Sequence, residues 1–295
     1  MQSILLITLL SIAAAVVTVT ASADDYVFDY SDDDYRSVAN SRNFTDKVVL
    51  VTGSSSGIGE GIVKLFSVLG ARVVVTGRKE ADIHRVAQDC QRLSPNKLKP
   101  LEVVADLTKS ADLSTLLNET IKTFGKLDVL VNNAGIYPAT TIDQTNLLQL
   151  WDQIFNIDLR AVVELIHLAV PYLEKTNGTV IDISSISSLA PMIDKLAYNS
   201  VKSSLDMLAR VLALELGPKG IRVNTLNPGA VNVKSYTSDL SNDYIKATPL
   251  RRIGLPLDIA KGVAFLASTD ASFITGANLV VDGGLVYNIG GFNIK

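Results

Sequence analysis

The chain has 295 residues, with 27 Lys and Arg against 30 Asp and Glu, a formal net charge of −3, 47% apolar residues and 19% charged residues. This composition excludes a disordered chain, and the lack of any basic run argues against a nucleic-acid binder. A single cysteine, Cys90, forms no internal disulfide, and two histidines, His84 and His167, with no CxxC or HExxH spacing leave little for a conventional metal site.

Residues 4–20 are almost wholly apolar, and the following Ala21-Ser22-Ala23 fits the small-x-small cleavage pattern of a secretory signal peptide. No Lys or Arg precedes Arg36, so the charged start of such a peptide is missing. The apolar run, about 17 residues, is near the ~20 that span a bilayer, so an uncleaved anchor is the alternative. Residues 1–23 therefore predict an address in the secretory pathway, secreted or in the lumen of the endoplasmic reticulum, with a membrane-anchored form as the second reading. Residues 24–43 are rich in Asp, with Tyr26, Tyr30 and Tyr35 between them and no sustained period, and read as an acidic linker. Sequons at Asn43, Asn118 and Asn177 occur at about the chance rate and do not decide the compartment.

From residue 47 the pattern changes. Residues 48–52 form a short apolar, β-branched run without alternation, as in a strand buried on both faces. A Gly-rich turn follows, and residues 58–69 have helical spacing. Further buried strands are predicted at 71–76, 101–105, 128–131, 179–183, 221–226 and 279–281, with long helical stretches at 147–173, 197–216 and 257–267. Strands alternating with helices imply a doubly wound, Rossmann-type parallel sheet of seven strands with helices on both faces, in a single domain over residues 44–295.

The turn Thr52-Gly53-Ser54-Ser55-Ser56-Gly57-Ile58-Gly59 lies between the first strand and the first helix of that domain. Gly53 permits the tight turn, Gly57 admits close approach of a ligand to the backbone, and Gly59 lets helix and strand pack. The N–H groups around Ser55, Ser56 and Ile58 and the helix dipole then face a pyrophosphate. The spacing is Gly-xxx-Gly-x-Gly rather than Gly-x-Gly-xx-Gly. At the end of the second strand, where an acid would bind the adenosine ribose of NAD, stand Gly77 and Arg78. Arg grips a 2′-phosphate with paired hydrogen bonds, so NADP(H) is expected over NAD(H).

Tyr198 and Lys202, four apart, share one face of a predicted helix. Asn132-Asn133-Ala134-Gly135 follows the fourth strand, Ser184-Ser185 the fifth, and Asn227-Pro228-Gly229 the sixth, each at the end of a strand where an open parallel sheet binds ligands. Asn132 reads as a residue that ties neighbouring strands.

In this order and spacing, over residues 44–285, these motifs resemble the short-chain dehydrogenase/reductase family, in its single-domain branch of about 250 residues. The resemblance implies Tyr198 as acid/base, Lys202 as holder of the nicotinamide ribose that favours tyrosine ionisation, and Ser185 as the serine orienting the substrate carbonyl, with Ser184 its rival. It implies Asn156 as the asparagine of a proton relay to the lysine. Asp106, with Leu107 beside it, would contact adenine, Asn133, Ala134 and Gly135 the adenosine ribose, and Pro228, Gly229 and Val231 the nicotinamide side. Val233 departs from the family's usual Thr, with Asn232 or Ser235 as substitutes. The expected activity is hydride exchange between nicotinamide and a lipophilic carbonyl or secondary alcohol. Alternatives are a 3-oxoacyl-thioester reductase, an NAD-dependent alcohol dehydrogenase, and a non-catalytic dinucleotide-binding scaffold. Residues 136–141, 186–196 and 232–248 would line the substrate, chiefly Ile136, Tyr137, Leu189, Met192, Ile193 and Tyr236. Residues 233–248 read as a mobile lid. The implied partners are a small-molecule substrate and further copies of the chain, as a homodimer or homotetramer; no nucleic acid is implied, and a membrane only if the leader stays as an anchor.

Overall fold

The computed structural model describes residues 31–233 and 238–288. The apolar leader, Tyr26, Tyr30, Ser235 and Tyr236 lie outside the described residues. Two compact units are separated at Ala39/Asn40, so the larger unit begins four residues before the boundary that the sequence suggests. In the first unit, part of the expected acidic linker is helical: α1 spans Asp32–Ser37. Ser31 caps it by accepting from Asp34 N, and Asp34 Oδ2 accepts from Ser31 N at 2.8 Å, a reciprocal capping box.

The second unit contains a parallel sheet of seven strands in the order β3-β2-β1-β4-β5-β6-β7. Its strands are β1 Val48–Val51, β2 Arg72–Gly77, β3 Leu101–Val104, β4 Val129–Asn132, β5 Thr179–Ile183, β6 Arg222–Pro228 and β7 Asn278–Val281. All four residues of β1 are fully buried, as the unbroken apolar run requires. Alternate side chains serve opposite faces. Val49 and Val51 pack with Ile62, Phe66, Ile83 and Val263, from α2 Gly57–Val68, α3 Glu80–Leu93 and α9 Pro256–Ala267. Val48 and Leu50 pack with Leu116, Leu165 and Leu205, from α4 Ser110–Phe124, α6 Ala161–Glu174 and α7 Leu196–Leu216. The chain reverses its winding between β1 and β4, which opens a crevice at their carboxyl ends.

The single helix expected over residues 147–173 is three segments: α5 Leu147–Phe155, a π turn Asn156–Arg160, and α6. In the π turn Ala161 N donates to Asn156 O, five residues back. Part of the expected lid is the helix α8 Ser238–Ala247. Among the described residues, no helix is long and apolar enough to cross a membrane.

Candidate active site

The Gly-rich turn is held by its neighbours. Ser54 Oγ accepts from Thr76 N at 2.9 Å, and Asn133 donates from N to Thr52 Oγ1 at 2.9 Å and from Nδ2 to Thr52 O at 2.8 Å. The side-chain N–H of Asn133 thus fastens the turn. Gly53 and Gly57 have φ of +61° and +58°, conformations side chains disfavour. At Gly59 a Cβ would stand 2.5 Å from Gly53 O, so this glycine serves helix–strand packing beneath the turn.

The first helical N–H groups of α2 have no intrahelical acceptor, and Ser56 offers them no side-chain cap. They border a cleft of about 430 Å³ lined by Gly53, Ser55, Ser56, Gly57, Ile58, Arg78, Asp106, Leu107, Asn133, Ala134 and Gly135. An uncapped helix start below a glycine cradle suits a pyrophosphate. Arg78 is exposed at the cleft's edge beside Gly77. Asp106 accepts from Thr108 N and Oγ1, which draws its carboxyl below the usual carboxylate range. Val233 borders this cleft, and a Cβ on Gly57 would lie 3.4 Å from Val233 Cγ1.

A second cleft of about 290 Å³ shares Ile58, Asn133, Gly135, Ile136 and Val233 with the first, so the two form one continuous groove. Its lining brings together Ser185, Tyr198, Lys202, Pro228, Gly229 and Val231. Tyr198 and Lys202 lie one turn apart on α7, with the Lys202 ammonium 5.3 Å from the tyrosine ring centre. Tyr137 meets Tyr198 edge-on at 4.5 Å. Ser185 Oγ accepts from Ser187 N at 3.1 Å and keeps its own hydrogen available to the cleft, whereas Ser184 Oγ donates to Lys202 O at 3.1 Å. The geometry favours Ser185 over its rival. Asn227 pins the loop from beneath, donating to Ser185 O at 3.0 Å and to Asp206 Oδ2 at 3.0 Å.

Asn156 stands apart. It lines a shallow groove with Asp152, Phe155, Arg160 and Val163, and is absent from the cleft that Tyr198 and Lys202 line. The buried residue at Lys202 is Asp158, 1% exposed, with Oδ2 3.2 Å from Lys202 Nζ. The physical reason is phase. Two residues along this turn carry a side chain roughly half-way round the axis, so Asn156 and Asp158 face opposite ways. The signal for Asp158 was present in the sequence as one acid on the apolar stripe Ile154, Val162, Leu165.

Burial works against the Lys202 ammonium, but Asp158, Tyr198 and Asp182 outweigh it and hold the group above the ordinary lysine range. Asp158 is itself held above the usual carboxylate range by burial, which Lys202 and the Ile136 N–H only partly offset. Asp182 Oδ1 accepts from Asn132 Nδ2 at 2.8 Å across β4 and β5, and its complete burial raises it to about 7.

Of the residues expected to line the substrate, Ile136, Tyr137, Ile186, Met192 and Tyr244 border this second cleft, together with Ala230 and Leu285 from outside the expected ranges. Leu189 and Ile193 are exposed and lie outside this lining. Tyr244 arrives on α8 and Leu285 on the turn after β7, segments whose approach to the cleft is set by tertiary packing.

Comparison with known proteins agrees with this geometry. A family model described as Enoyl-(Acyl carrier protein) reductase matches residues 53–286. L-fucose dehydrogenase of Mus musculus is 36% identical over 250 residues, covering 82% of this chain and 89% of that protein. The 3-oxoacyl-[acyl-carrier-protein] reductase of Chlamydia muridarum is 32% identical over 244 residues, covering 81% of this chain and 97% of that one. Among solved structures, a 7α-hydroxysteroid dehydrogenase complexed with NADH and 7-oxo glycochenodeoxycholic acid superposes with a TM-score of 0.79 at 31% identity, covering 83% of this chain and 96% of that one. A 3-ketoacyl-(acyl-carrier-protein) reductase from Brucella melitensis complexed with NADH gives 0.75 at 32% identity, covering 82% and 99%.

Proposed function

The chain belongs to the short-chain dehydrogenase/reductase family, and from that premise we propose that it is an NADP(H)-dependent oxidoreductase for a lipophilic carbonyl or secondary alcohol. The class of reaction, on CH–OH groups with a nicotinamide cofactor, is that of the family. One observation carries the finer reading: the cleft residue that directly follows β2 is Arg78 rather than an acid, the acid in the lining, Asp106, following β3 instead. A guanidinium there attracts a 2′-phosphate and gives a bare ribose diol no acceptor.

The nicotinamide, when bound, supplies or takes the hydride. The Tyr198 hydroxyl gives its proton to the substrate oxygen in reduction and takes it back in oxidation. Ser185 donates to the same oxygen and orients it. Lys202, four residues on, presents a fixed positive charge to the tyrosine oxygen and hydrogen-bond donors to the ribose. Ile136, Met192, Tyr244 and Leu285 exclude water and suit an apolar substrate body.

The test is parallel titration of the chain with NADPH and NADH, followed by cofactor fluorescence. NADPH is expected to bind more tightly, and Arg78→Ala to weaken NADPH by about 10- to 100-fold, with NADH changed by no more than about twofold. Tighter NADH binding by the unmodified chain would overturn the cofactor assignment.

Two further proposals rest on other segments. The apolar leader directs the chain to the secretory pathway; sequencing the amino terminus of the purified protein decides between removal before Asp24 and retention. The exposed Leu148, Met207, Val211 and Leu214 on α5 and α7 support a homo-oligomer, which light scattering would register as a multiple of the chain mass.

A further inference from the structure

The buried pair of Asp158 and Lys202 has a consequence that an asparagine at Asn156 could not supply. Asp158 Oδ1 accepts from Ile136 N at 2.9 Å, and Oδ2 faces Lys202 Nζ at ion-pair distance, 3.2 Å, without the alignment of a hydrogen bond. The carboxylate lies against Gly135, where a Cβ would come within 2.6 Å of Oδ2. Lys202 Nζ, 5% exposed at its side chain, donates to Ile183 O at 3.1 Å. A carbonyl accepts a hydrogen bond but does not neutralise a charge, and a buried ammonium without a counter-charge is destabilised where it stands. The ionisable groups facing this pair are Tyr198 on α7 and Asp182 on β5, with Asp206 of α7 acting on Asp182.

We propose that Asp158 is the positioning residue of this site: as a carboxylate it anchors and charges Lys202, so the geometry of Lys202 depends on the ionisation of one buried acid. When Asp158 takes up a proton, the ammonium loses its counter-charge and moves from its place beside Tyr198. An amide in this position would have no such state. Burial places that protonation above the range of surface carboxylates. The inference rests on the oxidoreductase site proposed above, but it concerns a charge coupling that exists without turnover.

The test uses the full chain labelled at aspartate carboxyl and lysine Cε carbons, titrated by NMR. Lys202→Met identifies the Lys202 signal by its loss, and Asp158→Asn identifies the Asp158 carboxyl. In the unmodified chain the Lys202 signal is expected to shift with the same midpoint as the Asp158 carboxyl. In Asp158→Asn it should be flat over that interval, and in Asp182→Asn it should still shift. Asp158→Ser, which removes the same charge with a smaller side chain, serves if the amide variant fails to fold. A Lys202 signal that is flat in the unmodified chain, or that still shifts in Asp158→Asn, overturns the proposal.

Carbonyl reduction, in which Tyr198 begins protonated, supplies the functional readout. Below the same midpoint kcat should fall about tenfold per pH unit in the unmodified enzyme and not in Asp158→Asn. Coupled NMR shifts with a turnover profile unchanged by Asp158→Asn would leave the pair intact and count against the catalytic assignment of Lys202.

Discussion

The two ends of the cleft are built by different means. At α2 the shape comes from main chain: two glycines at positive φ, a helix start without a side-chain cap, and a third glycine beneath that a Cβ would drive into Gly53 O. At α7 it comes from side chains brought from four elements: Ser185 after β5, Tyr198 and Lys202 on α7, Asp158 in the π turn and Tyr244 on α8. A main-chain site is fixed by local sequence, because glycine spacing and a strand-to-helix junction are nearly sufficient. A side-chain site depends on the phase of each helix and on packing between distant segments.

The largest expected effect separates these ends. Tyr198→Phe should lower turnover by about 10²- to 10⁴-fold while NADPH affinity stays within about twofold, read by steady-state rates beside fluorescence titration. A large loss of cofactor affinity in this variant would show that the two ends are not independent. The serine pair sharpens the contrast within the side-chain end. Ser185→Ala should lower kcat by about a hundredfold, comparable to loss of a donor to a developing oxyanion. Ser184→Ala removes a buried hydrogen bond to Lys202 O, so it should cost about 1 kcal/mol of stability and leave kcat within about threefold. Equal losses of kcat in the two variants would undo the assignment of Ser185.

The smallest effect belongs to neither end. Asp182 lies on β5 opposite Asn132 of β4, and its Oδ2 accepts no hydrogen bond. Its folded-state value, about 7, is raised above the ordinary 3.8 by burial. The folded state therefore favours its proton, and the stability linked to it is lost as pH rises from the ordinary value through about 7. Asp182→Asn keeps the acceptor for Asn132, so its gain in Tm should be small at acid pH and larger above neutrality, with cofactor affinity unchanged. A gain that shrinks as pH rises would reverse this sign.

The same contrast explains which parts were legible in the sequence. The seven parallel strands, the complete burial of β1 and the Gly-rich turn follow from runs such as Val48–Val51 and from glycine spacing, which are local. Tyr198 and Lys202 were legible because one helical turn joins them within an ordered series of motifs at strand ends. Asn156 was misplaced because a motif position fixes a neighbourhood, while the two-residue step to Asp158 reverses the face. Tyr244 was legible only as part of the range 232–248, and no local pattern links Leu285 to Met192. The helix α1 was overlooked although Ser31 and Asp34 already stood at capping-box spacing.

The π turn at Asn156–Arg160 also alters how this segment tolerates change in length. An ordinary helix that loses one residue has its upstream half rotated by about 100° relative to its downstream half. Here a wide turn already holds one residue more than α geometry needs, as the bond from Ala161 N to Asn156 O records. Deleting one residue within it would let the helix run on unbroken from Leu147 to Glu174 and keep its hydrogen bonds. The remaining chain would fold with the α5 and α6 faces near their present phase, but with the acid drawn away from Lys202. Single-residue deletions at this point should therefore yield well-folded, inactive protein, whereas the same deletion inside α4 should destabilise the whole domain.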